Sequence, residues 1–514
     1  EQSTRRSRDW EIQHQTPKQS SFVLDASRAV GERNLPPLRC HSERIMFGNK
    51  NKHGDIPIVQ GMAVGSQVPA AEAPLNYTGA EFNGVKGEAQ PKQFQDVAFA
   101  IAFLAHIVVM AYFLAAYAGS GGQDDGYDSS GIVSCALVTG IFSLGLSTFA
   151  LGFMMQFAAQ LIKMALFFSI GTSLAVGILG ALSGQMLMTI MGFLSFACGC
   201  CYAYFVWGRI PFAATNLNTA LAAVKANLGI AVVAYFFLFV AFGWSIWWSV
   251  AAGGAVNSMG TFALFLFLVS YYWTHQVIQN TMHVTTAGVI GTWWHAPSEA
   301  SSCCSPAIKD SVMRATTYSF GSICFGSLLV AIVQALRHLN HILQDNDDFN
   351  FLLCIVDCCL GCLEAIIEYL NKWAYIYVGL YGYNYIDAGK NVMTLFQNKG
   401  WTVIITDDLV DNVLLMMSVV IGLISGLIGL IMATVNQNMF AGMNIDNGLA
   451  GFMIGFLVGF ILASVLMSVV GSAVNTVIVC FAEAPNEFQS NHPQLSNEMR
   501  AAWQQAWPVE FGNM

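Results

Sequence analysis

The chain has 514 residues, 55% hydrophobic and only 10% charged, with a mean hydropathy of +0.54. Soluble domains carry about 25% charged residues, so composition excludes an ordinary soluble globular protein, and this hydrophobicity excludes a chain disordered throughout. The formal charge of −9 argues against a nucleic-acid binder and 13 unpatterned Cys make no secreted disulfide scaffold, which leaves a polytopic membrane protein.

In chain order, residues 1–92 are polar, with scattered Gly, Pro, Ser and Gln, and are expected to form a disordered cytoplasmic N-terminal tail. They hold no apolar h-region, so no cleaved signal peptide is expected. The one sequon, Asn76-Tyr77-Thr78, falls on the expected inner side and is expected to stay unused.

Beyond this tail, charges almost vanish. No Asp, Glu, Lys or Arg occurs in the 34 residues between Asp128 and Lys163, the 45 between Lys163 and Arg209, the 73 between Lys225 and Glu299, or the 34 between Asp411 and Asp446. A helix needs about 20 apolar residues to cross the hydrocarbon core. The 45-residue gap therefore holds two spans, turning near Ser183-Gly184-Gln185, and the 73-residue gap holds two, divided at 253–257. Runs of this length exceed the roughly 10-residue strands of a barrel, so the fold class is all-α with about ten transmembrane helices. The expected spans are 94–118, 132–158, 164–183, 186–207, 228–251, 258–282, 319–336, 350–370, 413–435 and 447–480. They make 93–482 a transmembrane transporter domain and 483–514 a cytoplasmic C-terminal tail. The sixth span is expected to continue as helix past 282. The eighth carries Asp357, Glu364 and Glu368 on one face, readable either as an intramembrane cation or proton site or as the wet face of an interfacial helix.

With the N-terminus inside, the inner loops hold eight Lys and Arg residues, whereas the outer loops hold only Arg337. The positive-inside bias thus places both termini in the cytoplasm. The stretch 209–226 is mildly amphipathic and is expected along the inner interface. Residues 371–412 are mixed in polarity, consistent with an interfacial or a re-entrant segment.

Several clusters bear on function. Gly451, Gly455 and Gly459, with Gly422 and Gly426, form GxxxG runs that permit close helix packing or sliding between transport states. Cys354, Cys358, Cys359 and Cys362, like Cys198, Cys200 and Cys201, lack zinc-site spacing and read as small apolar filling or as palmitoylation sites; no metal and no cofactor is expected. Trp244, Trp247 and Trp248 read as an interfacial aromatic belt, and His338 and His341 as surface residues. Tyr271, Tyr272 and Trp273 lie about 20 Å into the sixth span, too deep for a belt. Tyr272, Gln276 and Asn280 share one face at spacing four, either as interhelical glue or as part of a substrate path. Walker A, H-E-x-x-H and G-x-S-x-G are absent, so neither an ATP-driven pump nor a familiar hydrolase is indicated and no enzyme activity is expected.

Five stretches together resemble the choline transporter-like family of eukaryotic membrane proteins. They are Tyr272-Trp273-Thr274-His275-Gln276-Val277-Ile278-Gln279-Asn280 with His283-Val284-Thr285, Arg209-Ile210-Pro211-Phe212-Ala213, Gly321 to Gln334, Tyr375-Ile376 through Asn384, and Val479-Cys480-Phe481-Ala482-Glu483 with Pro485, His492-Pro493 and Leu495. The resemblance covers roughly residues 93–507. The short outer loop 119–130 is more similar to fungal, plant or protist members than to animal ones. The sequence departs from the family run at His275, where a Gln is expected, and at Ala484, where an Asp is expected.

The resemblance implies ten spans with both ends cytoplasmic and transport of choline or a related small organic cation, with proton exchange as one form of coupling. The partners implied are that cation and membrane lipids, and the plasma membrane is the expected location, an organelle membrane the alternative. A quaternary ammonium is recognised by aromatic faces, each contributing about 0.5–2 kcal/mol. Tyr272 and Trp273 are expected to supply part of that cage, Gln276 and Asn280 to bind the hydroxyl or line the route, and Glu364 to balance the charge. The competing reading is a membrane scaffold or stress-response protein without a transport cycle, whose sixth span would be dry. A lipid-modifying enzyme is the weakest reading, since no embedded catalytic pair stands out.

Overall fold

Long apolar segments that cannot hydrogen-bond to lipid must satisfy their backbone internally, and helices do so within one segment. The computed structural model describes residues 92–117, 130–344, 351–399, 409–436, 439–440 and 445–508, and among these there are α-helices and short 3₁₀ turns but no strands. The expected tail up to residue 91, its sequon and most of the outer loop 119–130 lie outside the described residues. The helices are α1 (Val97–Tyr117), α2 (Ser130–Leu182), α3 (Met186–Val206), α4 (Ile210–Ala226), α5 (Gly229–His295), α6 (Pro306–Thr316) and α7 (Phe320–Gln344). They continue with α8 (Phe351–Tyr381), α9 (Tyr385–Lys399), α10 (Leu409–Val435), α11 (Asn447–Glu483), α12 (Pro485–Asn491) and α13 (Pro493–Ala506).

Seven described segments are long and apolar enough to cross a membrane: 97–116, 131–182, 186–226, 229–252, 320–342, 409–435 and 447–483. The segment 131–182 covers two expected spans. Its helix is broken at Phe157 (φ −124°, ψ 22°), and each side is about 40 Å long, enough to cross a core of about 30 Å. Helix α5 behaves differently. A straight helix would separate residues 245 and 275 by about 45 Å, yet Ser245 Oγ lies 3.0 Å from His275 Nε2 and Trp248 Nε1 donates to the Phe267 carbonyl at 2.8 Å. Its two arms therefore fold back on each other, reversing within or beside the glycine-containing segment from which two spans are expected. The second arm then runs on to His295, well past 282.

Two expected boundaries move. Helix α7 continues beyond 336 through Arg337, His338 and His341, each of which finds a polar partner on a neighbouring helix: Arg337 Nε is 3.0 Å from Asp357 of α8, His341 Nε2 is 3.3 Å from the same group, and His338 Nδ1 is 3.1 Å from the Tyr272 hydroxyl of α5. Helix α8 continues past 370 to Tyr381. Gly382, at φ +67°, turns the chain there, and α9 returns along α8 with Trp373 edge-on to Phe396. The region 371–399 is thus a helical hairpin; 400–408 lie outside the described residues.

Helices α10 and α11 form an antiparallel pair, and the glycine run lies on their shared seam. A Cβ on Gly455 would stand 2.5 Å from the Ser425 carbonyl, and one on Gly459 equally close to the Ser425 side chain. Ser425 Oγ also meets Ser143 Oγ of α2 at 2.7 Å, so three helices converge where side chains are smallest.

At one end of the bundle, long helices extend into a platform made with α4, α6, α9, α12 and α13. Here sit fully buried aromatics, including Trp294, Trp373, Trp503, Phe396, Phe481 and Phe488. Trp294 stacks on Phe488 with centroids 3.9 Å apart and donates to the Ala484 carbonyl. Trp503 donates to Asn216 of α4. Helix α4, the mildly amphipathic stretch, is correspondingly buried against its neighbours, with Leu217, Ala220, Ala223 and Val224 fully enclosed. The tryptophans expected as a belt turn inward as well: Trp244 is buried and Trp247 donates to the Met110 carbonyl of α1.

Candidate functional site

The second arm of α5 carries a polar face through an otherwise apolar helix, and a cavity of about 550 Å³ opens against it. This falls within the roughly 300–1,000 Å³ of small-molecule sites. Gln276, Gln279, Asn280 and His283 line it from α5, Val330 and Gln334 from α7, and Glu368, Asn371 and Lys372 from α8. Asp411, Leu414, Leu415 and Ser418 of α10 form another wall. Helix α11 closes the ring with Ser464, Met467, Ser468, Gly471, Ser472 and Asn475. A smaller groove of about 300 Å³ between α2, α3 and α10 has no charged lining residue.

The α5 side chains are held by cross-helix hydrogen bonds. Asn280 Nδ2 donates to Ser327 Oγ at 3.0 Å and to Gln276 Oε1 at 3.4 Å, and Gln276 Nε2 donates to Gln334 Oε1 at 3.3 Å. At the platform end, His283 Nε2 lies 2.9 Å from the Lys372 carbonyl and Nδ1 lies 2.6 Å from Ser472 Oγ. A carbonyl only accepts, so Nε2 carries the proton and Nδ1 can accept from the serine. His283 thereby ties α5 to both α8 and α11. Lys372 and Asp411 pair at 3.3 Å on the rim.

Of the five residues expected to bind substrate, the structure brings Gln276 and Asn280 into the cavity lining. Tyr272 sits one turn away, its hydroxyl 3.1 Å from His338 Nδ1. Glu364 is also one turn away, accepting from Gln334 at 2.9 Å and from Arg337 at 3.0 Å. Trp273 points off the cavity. It is 6% exposed, donates to the Cys324 carbonyl at 3.0 Å, and packs on His106 and Phe103. His275 faces the first arm of α5 through Ser245. Among the described residues, no Phe, Tyr or Trp lines the cavity.

Of the three α8 carboxylates read from the sequence as a cation or proton site or a wet face, the cavity takes Glu368, whereas Glu364 was the one expected to balance the substrate charge. Glu368 reaches the cavity and has no ion-pair partner among the described residues, whereas Glu364 is paired with Arg337, which it shares with Asp357. Sequence reasoning missed Ser464, Ser468 and Ser472, whose spacing of four along an apolar helix was a readable signal. Cys358, Cys359 and Cys362 are exposed on α8; the side chain of Cys354 lies outside the described residues.

A family model described as plasma-membrane choline transporter matches residues 188–486, which includes every residue lining the cavity. Protein PNS1 of Mycosarcoma maydis is 28% identical over 424 residues, 74% of this chain and 79% of that protein. A CTL-like protein of Dictyostelium discoideum is 30% identical over 269 residues, 46% of this chain and 48% of its own length. Protein PNS1 of Yarrowia lipolytica is 30% identical over 279 residues, 48% of each chain. The chain thus aligns with most of the first relative and about half of the other two.

Proposed function

Because the chain belongs to the choline transporter-like family, we propose that it moves choline or a related small organic cation through this cavity by a secondary, ATP-independent cycle in the plasma membrane. At family level the function is membrane transport of a choline-like substrate by a multi-pass protein, a transporter rather than an enzyme. The cavity as the site and its residue roles are the added reading.

The observation that carries it is a membrane-domain cavity whose charged lining is two carboxylates against one ammonium: Glu368 and Asp411 against Lys372. A trimethylammonium group has no N–H to donate. It is held by the field of carboxylates, by oxygen dipoles and by aromatic faces. Glu368 supplies the field, and Gln276, Asn280 and Gln334 offer amide groups to the choline hydroxyl. Tyr272 and Glu364 lie along the route one turn away, whereas Trp273 packs off it against Phe103 and His106. The polar, roomy lining of the sixth-span face favours transport over a scaffold with a dry span. In this reading the N-terminal tail, the platform and the C-terminal helices are cytoplasmic.

Purified protein in liposomes should take up radiolabelled choline with saturation. Absence of saturable uptake rejects the proposal. Cysteine scanning of 272–283 gives a second test, since uniform protection from water-soluble reagents would favour the scaffold.

A further inference from the structure

The cavity does not run the full length of the bundle, and the way it stops between α5, α7 and α8 is specific. On these three helices its last lining residues away from the platform are Gln276, Gln334 and Glu368. One helical turn further on, each of these helices presents a side chain bonded to another of the three. Tyr272 of α5 meets His338 of α7, and Arg337 of α7 meets Glu364 of α8. Residues four apart lie one above the other on a helix, so these pairs form a layer stacked directly on the cavity roof. Gln334 links roof and layer by bonding both Gln276 and Glu364.

We propose that this layer is the outer gate of the transport path and that Arg337 is its latch. The inference rests on the transport reading above, including its assignment of the platform to the cytoplasm. Three features support it. Arg337 reaches two carboxylates seven residues apart on α8, Asp357 and Glu364, both at 3.0 Å, so one side chain clamps two turns of the neighbouring helix. Gly361, between them, faces the guanidinium, and a Cβ there would stand 3.7 Å from its central carbon, in van der Waals contact. The Arg337 side chain is 40% exposed and its partners Asp357 and Glu364 are 23% and 15% exposed, so the pairs lie at the edge of the bundle and are not sealed in its core, and ion pairs that are not fully buried are weak enough to break and re-form, as a gate requires. Arg337 is therefore a positioning residue: it holds α7 against α8 and does not touch substrate in the cavity. In this proposal the layer closes the path between α5, α7 and α8, and opening separates α7 from α8 above Gln334.

The test uses the full-length protein with its native cysteines replaced and a single reporter, Gln279→Cys, in the cavity lining. Oriented proteoliposomes are treated from the outer side with a membrane-impermeant thiol reagent, once with a cationic and once with an anionic form. Arg337→Gln should raise the outer labelling rate at least fivefold with both reagents, and Arg337→Lys should stay near the parent rate. The charge exchange Arg337→Glu with Glu364→Arg should label more slowly than Arg337→Glu alone. Unchanged outer labelling in Arg337→Gln overturns the gate. If Arg337→Gln does not fold, Glu364→Gln replaces it with the same expectation and the same refuting result. Labelling is read without choline, so failed choline uptake with accelerated labelling refutes the substrate reading alone, and saturable uptake with unchanged labelling refutes the gate alone.

Discussion

Replacing Glu368 by Gln should weaken substrate binding by about one order of magnitude. The substitution keeps the size of the side chain and removes one negative charge from a lining that holds Glu368, Asp411 and Lys372. Asp411 is already paired with Lys372 at 3.3 Å, so Glu368 supplies the net charge. It faces the open cavity, where water keeps the effective dielectric high. At a separation of about 6 Å and an effective dielectric of about 40, one charge on a monovalent cation is worth about 1.4 kcal/mol, a tenfold change in affinity. Initial rates of radiolabelled choline uptake into proteoliposomes, measured across a concentration series, should show KM raised roughly tenfold in Glu368→Gln. Lys372→Met, which adds a net negative charge by releasing Asp411, should shift KM the other way. Wild-type KM and rate in Glu368→Gln would refute the assignment of Glu368 as the charge that attracts substrate.

Other outcomes follow from packing and titration. Gly455→Leu must push α11 off the Ser425 carbonyl, and overpacking of this kind costs about 1–3 kcal/mol or more; fluorescence-detected thermal melting in detergent should show a lower Tm than wild type. Trp294→Ala removes a fully buried ring stacked on Phe488 and should cost about 3–5 kcal/mol, read as loss of monodisperse protein after mild heating. Burial in the platform lowers the His295 pKa to about 4, against about 6.5 in the unfolded chain. Above pH 6.5 both states are neutral and stability is flat. As pH falls from 6.5 toward 4 only the unfolded state gains the proton, so stability is lost across that window. A Tm series from pH 7.5 to 4.5 should therefore fall less steeply in His295→Gln than in wild type, and equal slopes would refute the assignment.

The sequence by itself determined the class of molecule. Charge-free stretches of 34 to 73 residues can be satisfied only as membrane-crossing helices, and the reversal expected within 228–282 appears as the folded-back arms of α5. The polar face of Gln276 and Asn280 was equally legible, because a spacing of four places residues on one side of a helix whatever surrounds it.

Periodicity describes one helix at a time, however, and cannot say which neighbour its face will meet. Only the tertiary structure decided that Trp273 turns away from the cavity toward α1 and α7. Only it separated Glu364 from Glu368, two carboxylates on the same face of the same helix. Arg337, brought alongside by the packing of α7, pairs with the first and leaves the second facing the cavity. The role of a charge inside a membrane domain is set by what stands opposite it, and that is a property of the assembled bundle.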